Sequence, residues 1–220
     1  MDVNIIEMWP RIAEATNETL LMVFISLALA CLIGIPLGIA LVVTREGGLI
    51  ENGPVFNVLN VIVNIFRSVP FIILLVAILP VTRFIVGTSI GTAAAVVPLV
   101  FFSAPFVARL VESSLLEVNT GVVEAAQAMG ATNWQIIYRV LIPEALSSIT
   151  LNLTIATIGL VGASAMAGFV GGGGLGDLAI AYGYQRFETD IMIVTVVLLV
   201  VLVQFVQMIG NFLSKKLRRL

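Results

Sequence analysis

Charged and amide side chains are concentrated in one stretch of an otherwise apolar chain, from Gly121 to Ala145. Between two apolar runs, this stretch carries Glu124, Gln127, Asn133, Gln135, Arg139 and Glu144. Charged groups are costly inside a bilayer and usually face water or protein there. The stretch therefore predicts a water-facing segment, and its chemistry is that of binding a partner.

The local signals in this stretch predict two short helices. Asn119 or Thr120 can cap the first helix, and Gly130 supplies the left-handed residue that ends it. Thr132 can then cap the second helix, with Gln135 three residues later, which is the spacing of a capping box.

The second helix also carries an apolar stripe, and Pro143 either stops this helix or begins the next one. The stripe has the spacing i, i+3, i+4, i+7 and consists of Trp134, Ile137, Tyr138 and Leu141. An apolar stripe on a helix in water needs a surface that buries it.

A second polar pattern lies inside an apolar run. Asn57, Asn60, Asn64 and Arg67 follow one another at i, i+3, i+7 and i+10, on one helical face. An arginine at the centre of a membrane helix costs about 3 kcal/mol on insertion scales, so this face should avoid lipid. Either the stripe faces the protein interior, or the segment before Pro70 is an interfacial helix.

A third candidate is Met166, which is the one large residue in a run of small ones that includes Ser164. Small side chains either admit a neighbouring helix or border a cavity. A long, polarizable side chain in that setting could plug a narrow path, or it could only fill a packing gap.

The composition is that of an integral membrane protein, since 60% of the 220 residues are hydrophobic and 11% are charged. Soluble domains carry about 25% charged residues. One cysteine and no histidine argue against a disulfide framework, the usual zinc sites and a histidine proton relay. The net charge of −2 gives no indication of a nucleic-acid partner, and the acidic N-terminus is unlike a cleaved signal peptide.

Five runs are long enough to cross a membrane, which takes about 20 apolar residues. We expect an all-α integral membrane protein with spans near 20–43, 55–80, 90–110, 146–170 and 191–213, and a connector over 171–189. The corresponding segments are an extracytoplasmic N-terminal segment (1–16), a transmembrane domain (17–212) that includes the water-facing hairpin (118–145), and a basic cytoplasmic tail (213–220).

The distribution of arginine and lysine predicts the orientation. Arg45, Arg109, Arg139 and the basic tail fall on one side, whereas Arg11, Arg83 and Arg186 fall on the other. The N-terminus is therefore expected outside, and the hairpin and C-terminus in the cytoplasm.

Two sequence motifs bear on nucleotide binding. The run from Gly171 to Gly176 has the letters of G-x-G-x-x-G, but it follows a membrane helix and not a strand, so we interpret it as a flexible turn. The sequence contains no G-x-x-x-x-G-K-[ST] motif. Any ATP-driven process must therefore use a P-loop of another chain.

The hairpin resembles the EAA loop of permease subunits of ABC importers. The resemblance rests on Glu124-Ala125-Ala126, on Gly130 after three further residues, and on Ile142-Pro143. It implies that the loop docks into a groove of an ATPase subunit. The residues that it implies for coupling are Glu124, Ala125, Ala126, Gly130, Ala131, Trp134, Tyr138 and Pro143.

Further runs resemble permease subunits of bacterial methionine-uptake importers. They include Ile62 to Leu75, Ile85 to Gly91, Leu160 to Gly162 and Ser164 to Met166, although Ala163 stands where a larger aromatic residue is expected. This likeness implies a type I ABC-importer permease fold and a translocation path for methionine at Met166, Ser164, Asn64 and Arg67.

The same resemblance implies the partners and the location. The chain would be a homodimer in the bacterial inner membrane, in contact with lipid, with two ATPase subunits and an extracytoplasmic methionine-binding protein. It would not itself be an enzyme and would need no cofactor, because ATP and magnesium would be used by the ATPase. The alternatives are a permease for another amino acid and a stand-alone secondary carrier, which predicts buried acids or an inverted repeat.

Overall fold

The computed structural model describes residues 5–218, and the regular structure within that range is entirely helical. The helices are α1 (Ile5–Thr44), α2 (Gly53–Ser68), α3 (Phe71–Ala77), α4 (Leu79–Val86), α5 (Thr92–Leu116), α6 (Thr120–Ala128), α7 (Asn133–Ile136), α8 (Ile142–Ala167), α9 (Gly174–Leu178) and α10 (Thr189–Leu217). A π-helical turn (Ile137–Leu141) joins α7 to α8, a 3-10 turn (Gly168–Val170) follows α8, and a second π-helix (Ala179–Tyr184) follows α9.

Four helical segments of the described chain are long and apolar enough to cross a membrane: Glu7–Thr44, Thr92–Leu116, Asn133–Val170 and Thr189–Leu217. The expected second span is not one helix, because α2 and α3 are bent by 102° at their junction. Pro70 explains the break, since a residue before proline avoids the helical region and Val69 adopts φ −88° and ψ 123°. The all-α membrane fold is confirmed, with the second of its five apolar runs broken.

The largest helix contact joins α1 to α5. Gly34 and Gly38 of α1 face α5, where an added Cβ would lie 2.6 Å from the carbonyl oxygens of Ala104 and Ala108, respectively. The GxxxG sequence therefore brings two helix backbones together, as small residues four apart do in lipid.

The first helix begins earlier than the apolar run predicted. Met8, Ile12 and Ala15 are buried in a cluster with Leu175 and Ile191, although exposed acidic residues surround them in the sequence. Residues 5–16 are therefore the first turns of α1 and not a separate segment, and residues 1–4 lie outside the described range.

The other boundaries also differ from the sequence interpretation. The expected third span continues to Leu116, and α10 continues to Leu217 into the expected tail, of which residues 219–220 are not described. The connector after α8 is mostly helical, because its apolar residues Leu175 and Leu178 are buried against α1 and α10.

The two ends of the helical bundle carry different segments. At one end, the amide of Asn133 donates to the carbonyl of Leu49 (3.1 Å), and Ser147 bonds Ser214 (2.9 Å). At the other end, Arg11 donates to the hydroxyl of Tyr182. The hairpin and the C-terminus thus share one end, as expected, and the assignment of that end to the cytoplasm stays a prediction.

Candidate coupling and translocation sites

The first helix of the hairpin is capped at both ends. Asn119 accepts a hydrogen bond from the backbone amide of Gly121 (2.8 Å), so Asn119 and not Thr120 is the cap. At the other end Gly130 has φ +80°, and the amide of Ala131 donates to the carbonyl of Ala126 (3.1 Å). This pattern is a Schellman motif, and it requires a left-handed residue at position 130.

The three EAA residues have different environments. Ala126 is buried in the main hydrophobic cluster together with Ile136, Ile137 and Leu141, so a small side chain is required there. Glu124 and Ala125 are exposed. Glu124 has no ion pair among the described residues, and it lines a groove of about 500 Å³ between the hairpin and the loop after α1.

The second half of the hairpin is the beginning of a membrane helix. Thr132 and Gln135 form the expected capping box, in which each side chain accepts from the other residue's backbone amide. Pro143 lacks an amide hydrogen, and the adjacent π-turn lets Ile142 donate to the carbonyl of Ile137 instead. The helix therefore does not stop at Pro143, and one helical segment runs from Asn133 to Val170.

The expected apolar stripe of this helix divides between two faces. Ile137 and Leu141 are buried against the chain itself. Trp134 and Tyr138 are 65% and 64% exposed, and their rings stack with centroids 6.0 Å apart and planes 20° apart. Met129, which the sequence interpretation missed, is 82% exposed at the same loop. We call these three side chains the hairpin tip.

The candidate path residues on α8 do not share one face. Met166 is 48% exposed, and Gly159 and Gly162 are exposed on the same face at i−7 and i−4. Ser164 is 1% exposed and donates to the carbonyl of Val161 within its own helix (2.8 Å). In the single chain Ser164 therefore does not line the surface that carries Met166.

Helix α9 packs against the backbone of the helical turn that carries Met166. A Cβ at Gly176 would lie 2.2 Å from the carbonyl oxygen of Ala165, and a Cβ at Gly168 would lie 2.3 Å from the backbone nitrogen of Asp177. These contacts of backbone on backbone leave no room for side chains. The run from Gly171 to Gly176, expected as a flexible turn, therefore includes close-packed helix contacts.

The connector is in turn fixed to α1. The carboxylate of Glu18 accepts from the backbone amide of Gly174 (2.7 Å), and the hydroxyl of Thr19 accepts from that of Leu175 (2.8 Å). Burial raises the pKa of the nearby Asp177 carboxyl, and the charge of Glu18 raises it further. This arrangement fixes the position of α9 relative to α1.

The polar stripe of α2 is partly satisfied by α5. Arg109 donates to Asn60 and to Asn64 (2.8 Å), and it pairs with Glu112 at 2.5 Å. Asn57 and Arg67 are exposed. Two of the four stripe residues thus contact α5, although of these only Asn60 is partly buried and Asn64 stays exposed. Arg67 forms no ion pair within residues 5–218.

Comparison with known protein families identifies the kind of protein that carries these features. Residues 34–219 match the model of the binding-protein-dependent transport system inner membrane component. The chain belongs to this family of membrane permeases. Its members are inner membrane components, which agrees with the several apolar helices described above.

Known members of this permease family are similar over almost the whole chain. A protein of Vibrio cholerae named probable D-methionine transport system permease protein MetI is 55% identical over 98% of both chains. The methionine import system permease protein MetP of Bacillus subtilis is 45% identical over 97% of this chain and 94% of its own.

Chains of solved ABC transporters have the same fold. A chain of the inward-facing MetNI methionine ABC transporter has a TM-score of 0.94 and 48% identity, over 96% of this chain and 98% of that one. A chain of an amino acid ABC transporter solved with histidines has a TM-score of 0.80 at 20% identity, over 98% of both chains, which supports the fold alone. The type I ABC-importer permease fold is confirmed.

Proposed function

We propose that this chain is the permease subunit of an ATP-driven importer for methionine. The observation that carries the proposal is the continuous helical segment from Asn133 to Val170, which has the exposed hairpin tip near one end and Met166 near the other. The names of full-length relatives that are 45% to 55% identical support methionine as the solute.

The hairpin tip is the proposed docking surface for the ATPase. Met129, Trp134 and Tyr138 offer a flexible thioether and two stacked rings that the rest of the chain leaves exposed. Large aromatic side chains that fill a partner's pocket dominate the energy of many interfaces. ATP and magnesium would be bound by that partner, since this sequence has no P-loop motif.

The path is proposed to lie between two copies of the chain. The face of α8 with Gly159, Gly162 and Met166 is uncovered in one chain. Arg67 precedes Phe71 by four residues, and Phe71 shares a buried cluster with Ala163 and Ala167, which flank Met166. The exposed guanidinium and the exposed thioether therefore belong to neighbouring parts of the chain, and a two-fold axis would pair each with its copy.

Three of the four expected path residues, Met166, Arg67 and Asn64, have a proposed role. Met166 closes the path with its flexible side chain. The positively charged guanidinium of Arg67 binds the carboxylate of the amino acid that is transported. Asn64 is held by Arg109 and presents its amide beside Arg67 on α2. An extracytoplasmic binding protein would deliver the solute, in keeping with the name of the family.

Co-expression of the permease with the ATPase subunit of the same importer tests the proposal. We expect the tagged permease to retain the ATPase after purification, in a complex with two copies of each chain. Competition for uptake then identifies the solute: excess methionine should suppress uptake of labelled methionine, whereas excess histidine or glutamine should not. A permease that purifies without an ATPase and still transports would be a stand-alone carrier.

A further inference from the structure

Two arginine side chains from distant parts of the chain meet on one tyrosine ring at the end of the bundle opposite the hairpin. Arg11 of α1 donates to the hydroxyl of Tyr182, and its guanidinium carbon lies 5.7 Å from the ring centroid. The guanidinium carbon of Arg186 lies 4.2 Å from the same centroid. The ring thus holds two like charges close together, which we call the arginine pair.

The described part of the chain provides no carboxylate that neutralises the arginine pair. The one ion pair within 4.0 Å between residues 5 and 218 is that of Arg109 and Glu112. This ion pair is on α5, whereas Arg11 is on α1 and Arg186 is in the connector. Glu188 and Asp190 follow Arg186 closely in sequence but form no ion pair with it. Two exposed guanidinium groups that face no acid form a site for an external anion, and phosphate suits their planar donor geometry.

The position of the arginine pair along α10 indicates where that anion lies. The 29 residues of α10 span about 43 Å at 1.5 Å per residue. A bilayer with its headgroups is about 40–45 Å thick. With Lys215 and Lys216 in one headgroup layer, Arg186, three residues before α10, lies in the opposite headgroup layer.

The surroundings of the arginine pair are those of a membrane interface. Trp9, Tyr184 and Phe187 are 59%, 69% and 85% exposed, and they lie within two residues of Arg11 or Arg186. Exposed aromatic residues are typical of the level of the lipid headgroups. Further along the chain, α10 exposes apolar side chains such as Val196 and Val200, which lipid acyl chains can contact.

We propose that the arginine pair is a binding site for the phosphate of an anionic phospholipid in the outer leaflet. Arg11 and Arg186 bind the phosphate oxygens, and Tyr182 keeps the two guanidinium groups together in the absence of lipid. The bound phosphate joins the first turns of α1 to the end of the connector, just before α10. This site is independent of which solute the permease carries.

The test uses the intact complex of permease and ATPase in nanodiscs that contain phosphatidylglycerol and phosphatidylcholine. Native mass spectrometry counts the lipids of each kind that remain bound. The variants are Arg11→Gln, Arg186→Gln, the double variant and Tyr182→Phe, which keeps the ring but removes the acceptor for Arg11. Arg83→Gln is the matched control, because Arg83 is an exposed arginine on α4, predicted on the same side of the membrane.

We expect the parent to retain phosphatidylglycerol in preference to phosphatidylcholine. Each single glutamine variant should lower that preference about fivefold, the double variant should lower it further, and Arg83→Gln should leave it unchanged. Assembly with the ATPase, measured by size exclusion, should be the same for all variants, since the replaced arginine side chains are exposed and Tyr182→Phe keeps the partly buried ring.

Two outcomes would overturn the proposal. One is retention of phosphatidylglycerol by the double variant at the level of the parent. The other is unchanged lipid retention together with lost stimulation of ATP hydrolysis by the extracytoplasmic binding protein. That second outcome would identify the arginine pair as a docking surface for a protein and not for lipid.

Discussion

Trp134 and Tyr138 stack on each other one helical turn apart, and both are about two-thirds exposed. Ile137 and Leu141 of the same helix are buried in the chain's own core. The chain's own core therefore uses the two aliphatic side chains of this helix and leaves the two aromatic rings outside it. Exposed, preorganised aromatic side chains with no role in the chain's own core are candidates for a partner's binding energy.

The first prediction separates these two roles. Trp134→Ala should reduce retention of the ATPase during purification strongly, because truncating an interface anchor of this kind often costs about 2 kcal/mol or more. The amount and monodispersity of the permease in the membrane should not change. Phe84→Ala is the control, since Phe84 is 90% exposed on α4, away from the hairpin. Equal retention of the ATPase by Trp134→Ala and Phe84→Ala would exclude the hairpin tip as the docking surface.

Gly130→Val tests the rigidity of the hairpin. Gly130 has φ +80°, and a β-branched residue held there stores about 1–3 kcal/mol of strain. The variant should insert normally but misplace the end of α6 relative to α7, so that uptake is lost although the membrane helices are intact. Gly53→Ala is a matched control, because Gly53 begins α2 without a positive φ and a Cβ there meets no atom within 4 Å. Full uptake by Gly130→Val would remove the hairpin from the mechanism.

Met166→Ala tests the proposed closure of the path. The variant should assemble with the ATPase and either leak the solute or hydrolyse ATP faster without the binding protein, since the long side chain that closes the path is missing. Met208→Ala serves as the control, because Met208 is 62% exposed on α10 and should contact lipid. If the two variants behave alike in both assays, Met166 is only a packing residue.

Asp177→Asn tests the environment of the connector. Burial, and then the charge of Glu18, raise the pKa of Asp177, so the folded protein disfavours the ionised carboxylate. At neutral pH the amide should therefore raise the melting temperature of the complex. The gain should shrink as the pH falls into the range where the carboxyl is protonated in both the folded and unfolded states. Asp190→Asn, at an exposed position, should give no such gain.

Much of the hairpin was predictable because its signals are local. The capping box of Thr132 with Gln135 and the left-handed Gly130 depend on neighbours within five residues, and both are found in the structure. The predicted stripe of Trp134, Ile137, Tyr138 and Leu141 was wrong in one detail, because Ile137 and Leu141 belong to the chain's own core. Periodicity identifies an apolar face but does not distinguish a chain's own core from a partner's groove.

The remaining differences have a common physical reason, which is that distant contacts decide them. The early start of α1 depends on the burial of Met8 and Ile12 against the connector, some 160 residues later. Ser164 looked suitable for the path by composition, but its orientation follows from the rotation of α8 against its neighbours. The arginine pair joins positions 11 and 186, and no spacing in the sequence would indicate it.

The most direct test of the proposed function is uptake of labelled methionine into vesicles that contain the reconstituted permease and ATPase, with the extracytoplasmic binding protein added. We predict uptake that requires both ATP and the binding protein and that Trp134→Ala abolishes. Uptake that continues without ATP, or that is absent with all subunits present while another amino acid is taken up, would contradict the assignment of this chain to a methionine importer.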